Sequence, residues 1–303
     1  MSVFAAFAFI LLLMALGRSL AWRRLVPDSA PDALNIVVLY VCMPASILLQ
    51  VPKLQFASAA FGVVLVPWLL LALSTALVLG AARLLRLQRP DTAVLLLEVP
   101  LGNTSFLGYA LIPVLASPAA MPFAVLYDQF GSFLILSTFG LTVIAVYSGG
   151  ARPTAAVVAQ RVLRFPPFLA LVFALTLMPA QPPPAIAAVL QQLAGAMLPM
   201  VGLALGMQLK LRLPRSQLLP LGLGLAGKLF VMPALAWLLC LVLGLGPDAR
   251  AAVVLESAMP PMITAAALAA MARLAPELGS ALVGYGVVLS MASLPLWRWW
   301  LGA

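Results

Sequence analysis

The sequence predicts an all-α integral membrane protein of about ten transmembrane helices, arranged as two inverted five-helix repeats whose fourth and ninth helices are broken and cross. Three observations predict it. Of 303 residues, 64% are hydrophobic and 8% charged, with mean hydropathy +1.14, whereas a soluble domain carries roughly 25% charged residues. Apolar runs of about 20 residues, long enough to cross a bilayer, recur along the chain. Two of these runs carry Pro, Gly or polar residues at mid-length, where backbone that leaves the helix survives only if it is buried in protein or lines a cavity.

The runs fall near 3–22, 32–51, 57–82, 91–116, 119–147, 162–179, 186–207, 215–244, 249–272 and 277–300. The first lacks a preceding basic residue and is followed by Arg18, Arg23 and Arg24. That order fits a first membrane helix rather than a cleaved signal. Basic residues then cluster after every second run: Arg83, Arg86 and Arg89; Arg152, Arg161 and Arg164; Lys210, Arg212 and Arg215; and Arg273. The intervening loops hold only Lys53 and Arg250, with Arg298 near the C-terminus. By the positive-inside rule the clustered loops face the cytoplasm and both termini lie outside. Trp297, Trp299 and Trp300 read as an interfacial belt on the outer side.

The net charge of +9 therefore reads as topology, and no nucleic-acid partner is expected. Cys42 and Cys240 lie inside apolar runs, as small buried hydrophobes do. The chain has no His, so His-ligated zinc or haem and Ser-His-Asp catalysis are excluded. No G-x-x-x-x-G-K-[ST] motif is present, so ATP hydrolysis is not expected. No G-x-S-x-G nucleophile with a partner base is visible, which argues against an intramembrane enzyme. No metal site or cofactor is expected, with H+ and Na+ left as candidates for a coupling ion.

The halves, 1–150 and 151–303, match in order. Pro44 corresponds to Pro199 and Pro67 to Pro233. The fourth run opens P-D-T-A-V-L-L-L-E and the ninth P-D-A-R-A-A-V-V-L-E, so Asp91 pairs with Asp248 and Glu98 with Glu256. Tyr127 and Ser132 correspond to Tyr285 and Ser290. Five helices per repeat is an odd number, so the second copy inserts upside down, and the breaks meet near the midplane.

The first break is Pro100 to Ser105 and the second is Met259-Pro260-Pro261. Pro100, Gly102 and Pro260 are the expected hinges. The half-helix after the first break starts near Thr104, where unpaired N–H groups and about half a positive charge favour a carboxylate. Asn103, Thr104 and Ser105 are the main candidates for substrate contact, with capping of the half-helix as the other reading. Pro261, Met262 and Thr264 supply the second wall, and Ser46, after Pro44, is placed facing the same space. An organic anion fits two helix starts aimed at one point.

Four ionisable residues sit in or near the apolar runs: Glu98, Asp128, Lys228 and Glu256. An Asp or Lys at a helix centre costs about 2.5–3.5 kcal/mol on insertion scales, which makes function the first hypothesis. Asp128 and Lys228 are expected to face one interior space. They act there either on an anionic substrate and on protons, or as a permanent ion pair. Glu98 and Glu256 either bond freed backbone N–H groups or take part in ion coupling.

The motif G-N-T-S-F-L-G-Y-A-L at 102–111 resembles the P-N-T-x-F-L-G-x-P-L signature of the auxin efflux carrier family. That family includes plant auxin carriers and bacterial permeases for malate or malonate. The segment M-P-P-x-x-x-x-A-x-x-A at 259–269 is similar to the family's second crossover helix. Gly102 and Ala110 stand where the family usually has Pro, and M-I-T-A follows Pro261 where relatives often carry an Asn. The resemblance implies a fold related to bile-acid sodium symporters and sodium/proton antiporters. It also implies a homodimer in a bacterial inner membrane, and a carrier for a small organic anion such as a dicarboxylate or an auxin-like carboxylate. Gln129 is similar in position to a substrate-contacting residue of the plant carriers. A channel-like anion pathway, a uniporter and a sodium-coupled symporter are the alternatives.

Overall fold

The computed structural model describes residues 3–53, 59–149, 154–209 and 217–302. In chain order the helices are α1 (Val3–Trp22), α2 (Ala30–Gln50), α3 (Ala59–Leu84), α4 (Arg89–Glu98), α5 (Thr104–Leu115), α6 (Pro118–Ser148), α7 (Ala155–Leu163), α8 (Pro166–Thr176), α9 (Pro184–Gln208), α10 (Leu218–Val242), α11 (Pro247–Ala258), α12 (Ile263–Met271) and α13 (Pro276–Leu301). Among the described residues there is no strand, only an isolated antiparallel bridge between Gly102 and Pro261.

Among the described residues six helices, α2, α3, α6, α9, α10 and α13, are long and apolar enough to cross a membrane. This is fewer than the apolar runs, and prolines account for most of the difference. Pro100 and the Pro260-Pro261 pair cut the fourth and ninth runs into α4 with α5 and α11 with α12. In the sixth run, Phe165 precedes Pro166 and adopts an extended conformation (φ −81°, ψ 114°), as a residue before proline prefers. That leaves α8 with 11 residues. Of the basic loop residues, Arg152, Lys210, Arg212 and Arg215 lie outside the described residues, as do the side chains of Lys53 and Arg161.

The helices form two packed groups. In one, α1, α2, α8 and α9 pack on each other, around Ile10, Met14, Met43, Ile47, Leu171 and Val201. Small residues bring α1 and α9 close: Gly17 faces the backbone of Leu203, Gly206 that of Met14, and Gly202 the side chain of Leu13. In the other, α3, α4, α6, α10, α11, α12 and α13 share a core that includes Val66, Leu97, Leu126, Leu229, Val253 and Leu282. Between the groups lies a vestibule of about 790 Å³.

Several spans are not uniform helix. Wider π turns occur at Val38–Cys42, Asp128–Ser132, Leu136–Gly140 and Gly227–Val231, and α5 itself opens with one at Thr104–Gly108. Such turns and internal prolines free backbone carbonyls, which need new donors when buried. Tryptophans supply some. Trp297 Nε1 donates to the Leu229 carbonyl at 2.8 Å, four residues before Pro233. Trp68 Nε1 donates to the Phe130 carbonyl at 2.9 Å, within the α6 π turn. Pro67 of α3 lies against Gly131 in that turn, where no side chain would fit.

Candidate functional site

The two breaks meet face to face. α4 ends at Glu98, and Pro100, which has no N–H, cannot continue the helix. After it, the Asn103 N–H donates to the Pro260 carbonyl at 2.7 Å, alongside the Gly102–Pro261 bridge. The strands of backbone released from both helices therefore satisfy each other. Asn103 then caps α5: its carbonyl accepts from the Leu107 and Gly108 N–H groups, and its side-chain oxygen accepts weakly from Leu107 N–H at 3.4 Å. On the other side Met259 and Met262 are extended, and α12 restarts at Ile263.

Asp128 is fully buried and organises the first break. Its Oδ1 accepts from Thr104 Oγ1 at 2.5 Å and from Ser105 Oγ at 2.7 Å. Its Oδ2 accepts from Tyr109 Oη at 3.0 Å and Gln129 Nε2 at 2.7 Å. Gln129 Nε2 also donates to Tyr109 Oη at 3.2 Å. A carboxylate at the start of α5 is also favoured by the helix dipole. Four donors and a helix start thus hold the Asp128 charge without a cation.

Lys228 projects from the π turn of α10 and lies within electrostatic reach of Glu98 and Glu256. Its ammonium approaches Gly102, where an added Cβ would stand only 2.9 Å from Nζ. Asp128 and Lys228 are expected to face one interior space, acting on substrate and protons or as an ion pair. In the structure Asp128 has hydroxyl and amide partners, while Lys228 lies within electrostatic reach of the two glutamates, neither of which it hydrogen-bonds. Glu256 links the clusters, being within electrostatic reach of both Asp128 and Lys228. Its carboxylate lies against Gly108, in space that any side chain there would fill. Glu98, from the first break, faces the second: the Met262 N–H approaches it without closing a full hydrogen bond.

The vestibule runs from Asp28, Asp32 and Asn35 to an inner end formed by Phe106 of α5 and Ile263 and Thr264 of α12. Thr264 thus lies on its wall, and Ser105 is half-buried beside Phe106. Asn103, Thr104, Gln129, Pro261 and Met262 are buried behind this end. Two buried polar atoms there have no partner: the donor Asn103 Nδ2 and the acceptor Gln129 Oε1. Ser46 is buried on α2 and is not among the vestibule-lining residues. Pro100, Gly102 and Pro260 all sit within the breaks.

Sequence reasoning missed Gly108 and Tyr109. Ser105 and Tyr109 are four residues apart, which puts them on one helix face. That polar i, i+4 pair inside an apolar run was the available signal.

A family model described as "Membrane transport protein" matches residues 2–152 and 151–298, nearly the whole chain. The chain belongs to this membrane transport protein family, that of the auxin efflux carriers. A protein of Methanothermobacter thermautotrophicus described as an uncharacterized transporter is 27% identical over 293 residues, covering 95% of each chain. As a member of the auxin efflux carrier family the protein is an integral membrane transporter, and the meeting of its two breaks is the polar centre of an otherwise apolar molecule.

Proposed function

We propose that the protein is a secondary active carrier for a small organic anion, such as a dicarboxylate or an auxin-like carboxylate. It works by alternating access around the two helix breaks. The observation that carries this reading is the end of the vestibule. There α5 and α12 both start, and the Asn103 amide keeps an unspent buried donor. Unpaired N–H groups at helix starts, with a spare amide donor, match a carboxylate. Phe106, Ile263 and Thr264 give the organic part a largely apolar wall.

In this reading ten helices form two inverted repeats, 1–150 and 151–303, and α4–α5 crosses α11–α12. The matched residues support it. Glu98 and Glu256 stand at corresponding places before the breaks. Asp128 and its mate Gly286 each face the break of their own half. The group of α1, α2, α8 and α9 then serves as the frame against which the other group rocks. The membrane is the bacterial inner membrane, both termini are outside, and the carrier is a homodimer. With Arg23 and Arg24 on the cytoplasmic side, the vestibule mouth at Asp28 opens inward. The buried charges Glu98, Asp128, Lys228 and Glu256 favour coupling to H+ or Na+ over uniport.

A thermal-shift screen of the purified protein against malate, malonate and indole acetate tests the reading, with and without sodium at two pH values. A true substrate at 100 times its Kd stabilises by about 2.7 kcal/mol, and Asn103→Ala abolishes the shift. Absence of a shift with every carboxylate would overturn it, and uptake that fails to saturate would mark a channel.

A further inference from the structure

Away from the two breaks, a second cavity of about 600 Å³ lies between α6, α7 and the start of α8. That is within the usual range for small-molecule sites, about 300–1,000 Å³. Its α6 wall holds Thr138 and Thr142, but both hydroxyl protons are spent on their own helix. Thr138 Oγ1 donates to the Leu134 carbonyl at 2.7 Å, and Thr142 Oγ1 to the Thr138 carbonyl at 2.8 Å. The other walls are apolar, with Val158, Val162 and Leu163 of α7 and Phe168 of α8. Such a lining suits a hydrocarbon chain rather than a polar solute. The depth suits one too. α6 ends at Ser148, so Thr142 and Thr138 stand about 9 and about 15 Å inside that end. Half of a bilayer's hydrocarbon core is also about 15 Å, so the groove is as deep as one leaflet. The charge around it is positive. Arg152, Arg161 and Arg164 follow closely in the sequence, and no Asp or Glu occurs between Asp128 and Asp248. α7 is also two-faced: Val158 and Val162 line the groove, while Gln160 and Arg164, again four residues apart, share another face. A basic amphipathic helix of this kind lies in the interface of an anionic membrane.

We propose that this groove holds one acyl chain of an anionic phospholipid, with its headgroup beside the basic segment of α7. The rings around the groove give the lipid a role. Phe168, which lines it, meets Phe130 edge to face with centroids 6.3 Å apart, and Phe165 stacks on Phe133 at 3.9 Å. Phe130 belongs to the π turn that carries Asp128 and Gln129. α6 and α8 belong to different packed groups, so a chain seated here bridges the groups and touches the ring that packs on the Asp128 turn. Occupancy therefore steadies the present arrangement of the two groups. The site lies apart from the vestibule and does not rest on the organic-anion reading.

Photo-crosslinking of the full-length protein tests the site. The protein is reconstituted in phosphatidylcholine vesicles with a trace of phosphatidylglycerol that carries a diazirine in its acyl chain, and the labelled peptides are mapped. Labels should concentrate on peptides covering 138–142 and 155–168. A phosphatidylcholine probe with the same chain should label these peptides no more than the other lipid-facing helices. Unlabelled phosphatidylglycerol should displace the probe, and Arg164→Gln should raise the amount needed about fivefold. Val158→Trp, which puts an indole into the groove, should abolish the labelling. It should also abolish the saturable rise in unfolding midpoint that phosphatidylglycerol gives the wild-type protein in detergent. The wild-type map decides even if a variant fails to fold. Even labelling of all lipid-facing helices would mark annular lipid only and overturn the site. Equal labelling by the two probes would overturn the anionic lipid as its occupant, and labelling that persists in Val158→Trp would overturn the groove as its place. Labelling without any rise in the midpoint would refute the bridging role.

Discussion

At the first break, between Glu98 and Thr104, side chains hold the open backbone in place. Asn103 caps the restarting helix, and Thr104, Ser105 and Tyr109 converge on the Asp128 carboxylate. At the second, between Ala258 and Ile263, stiffness and shape do the same work. Pro260 and Pro261 fix their own φ, and the Pro261 ring sits against Gly286. Asp128 and Gly286, each beside one break, thus carry opposite solutions: a charge that gathers donors and an absence of side chain that admits a ring. The difference teaches that the two breaks are held by different means. The first rests on exchangeable hydrogen bonds, while the second is a preset surface.

Asp128→Asn should have the largest effect. The change keeps the shape but removes the charge that four donors share, and it turns an N–H2 group toward donors. Hydrogen bonds to a charged group are worth about 1.5–3 kcal/mol each, and an orphaned buried donor adds to the loss. We expect transport at background level and a clear drop in the thermal unfolding midpoint in detergent. A variant with normal uptake would show that the first break does not depend on its polar anchor, and the contrast between the breaks would collapse.

Gly286→Ala should come next. A Cβ at 286 would overlap the Pro261 ring and meet Pro260 as well. Overpacking of this kind costs about 1–3 kcal/mol, and here it bears on a single break. Thermal unfolding should show the loss, and substrate-induced stabilisation should weaken because the α12 wall has moved. A neutral result would mean that the second break is slack rather than preset.

Much of this was legible in the residues. Pro100, Gly102 and the Pro260-Pro261 pair mark the breaks, because each is a poor choice inside an apolar run. Glu98, Asp128, Lys228 and Glu256 stand out because charge is costly there. What could not be read was the choice of partners. Asp128 and Lys228 lie at similar depth in their runs, yet hydroxyls from the first break reach Asp128, while Lys228 has the two glutamates only within electrostatic reach. That choice depends on π turns at Thr104–Gly108, Asp128–Ser132 and Gly227–Val231, which shift the helix faces and leave no mark in composition. Gly108 and Tyr109 were hidden for a related reason. In membrane helices, a glycine reads as close packing and a tyrosine as apolar bulk until a carboxylate is seen beside each.

The smallest effect belongs to Pro261→Ala, and it sharpens the comparison most. Met259 still precedes Pro260 and stays extended, and the Pro260 carbonyl still accepts from Asn103. What is lost is the ring against Gly286 and the limit that proline sets on the unfolded chain, about 0.4–1 kcal/mol. Alone, the variant should fold and unfold slightly earlier. Combined with Gly286→Ala it should do better than Gly286→Ala does by itself, because the ring that the new methyl group strikes is gone. Residues in contact show interaction energies of about 0.5–3 kcal/mol in such cycles, so unfolding midpoints of the two single variants and the double variant suffice to detect it. The same cycle between Pro261→Ala and Asp128→Asn should be close to additive, since the Asp128 donors all lie on the first break or beside it. Strong coupling there would mean that the two breaks act as one cluster, and that the division between a polar wall and a preset wall is wrong.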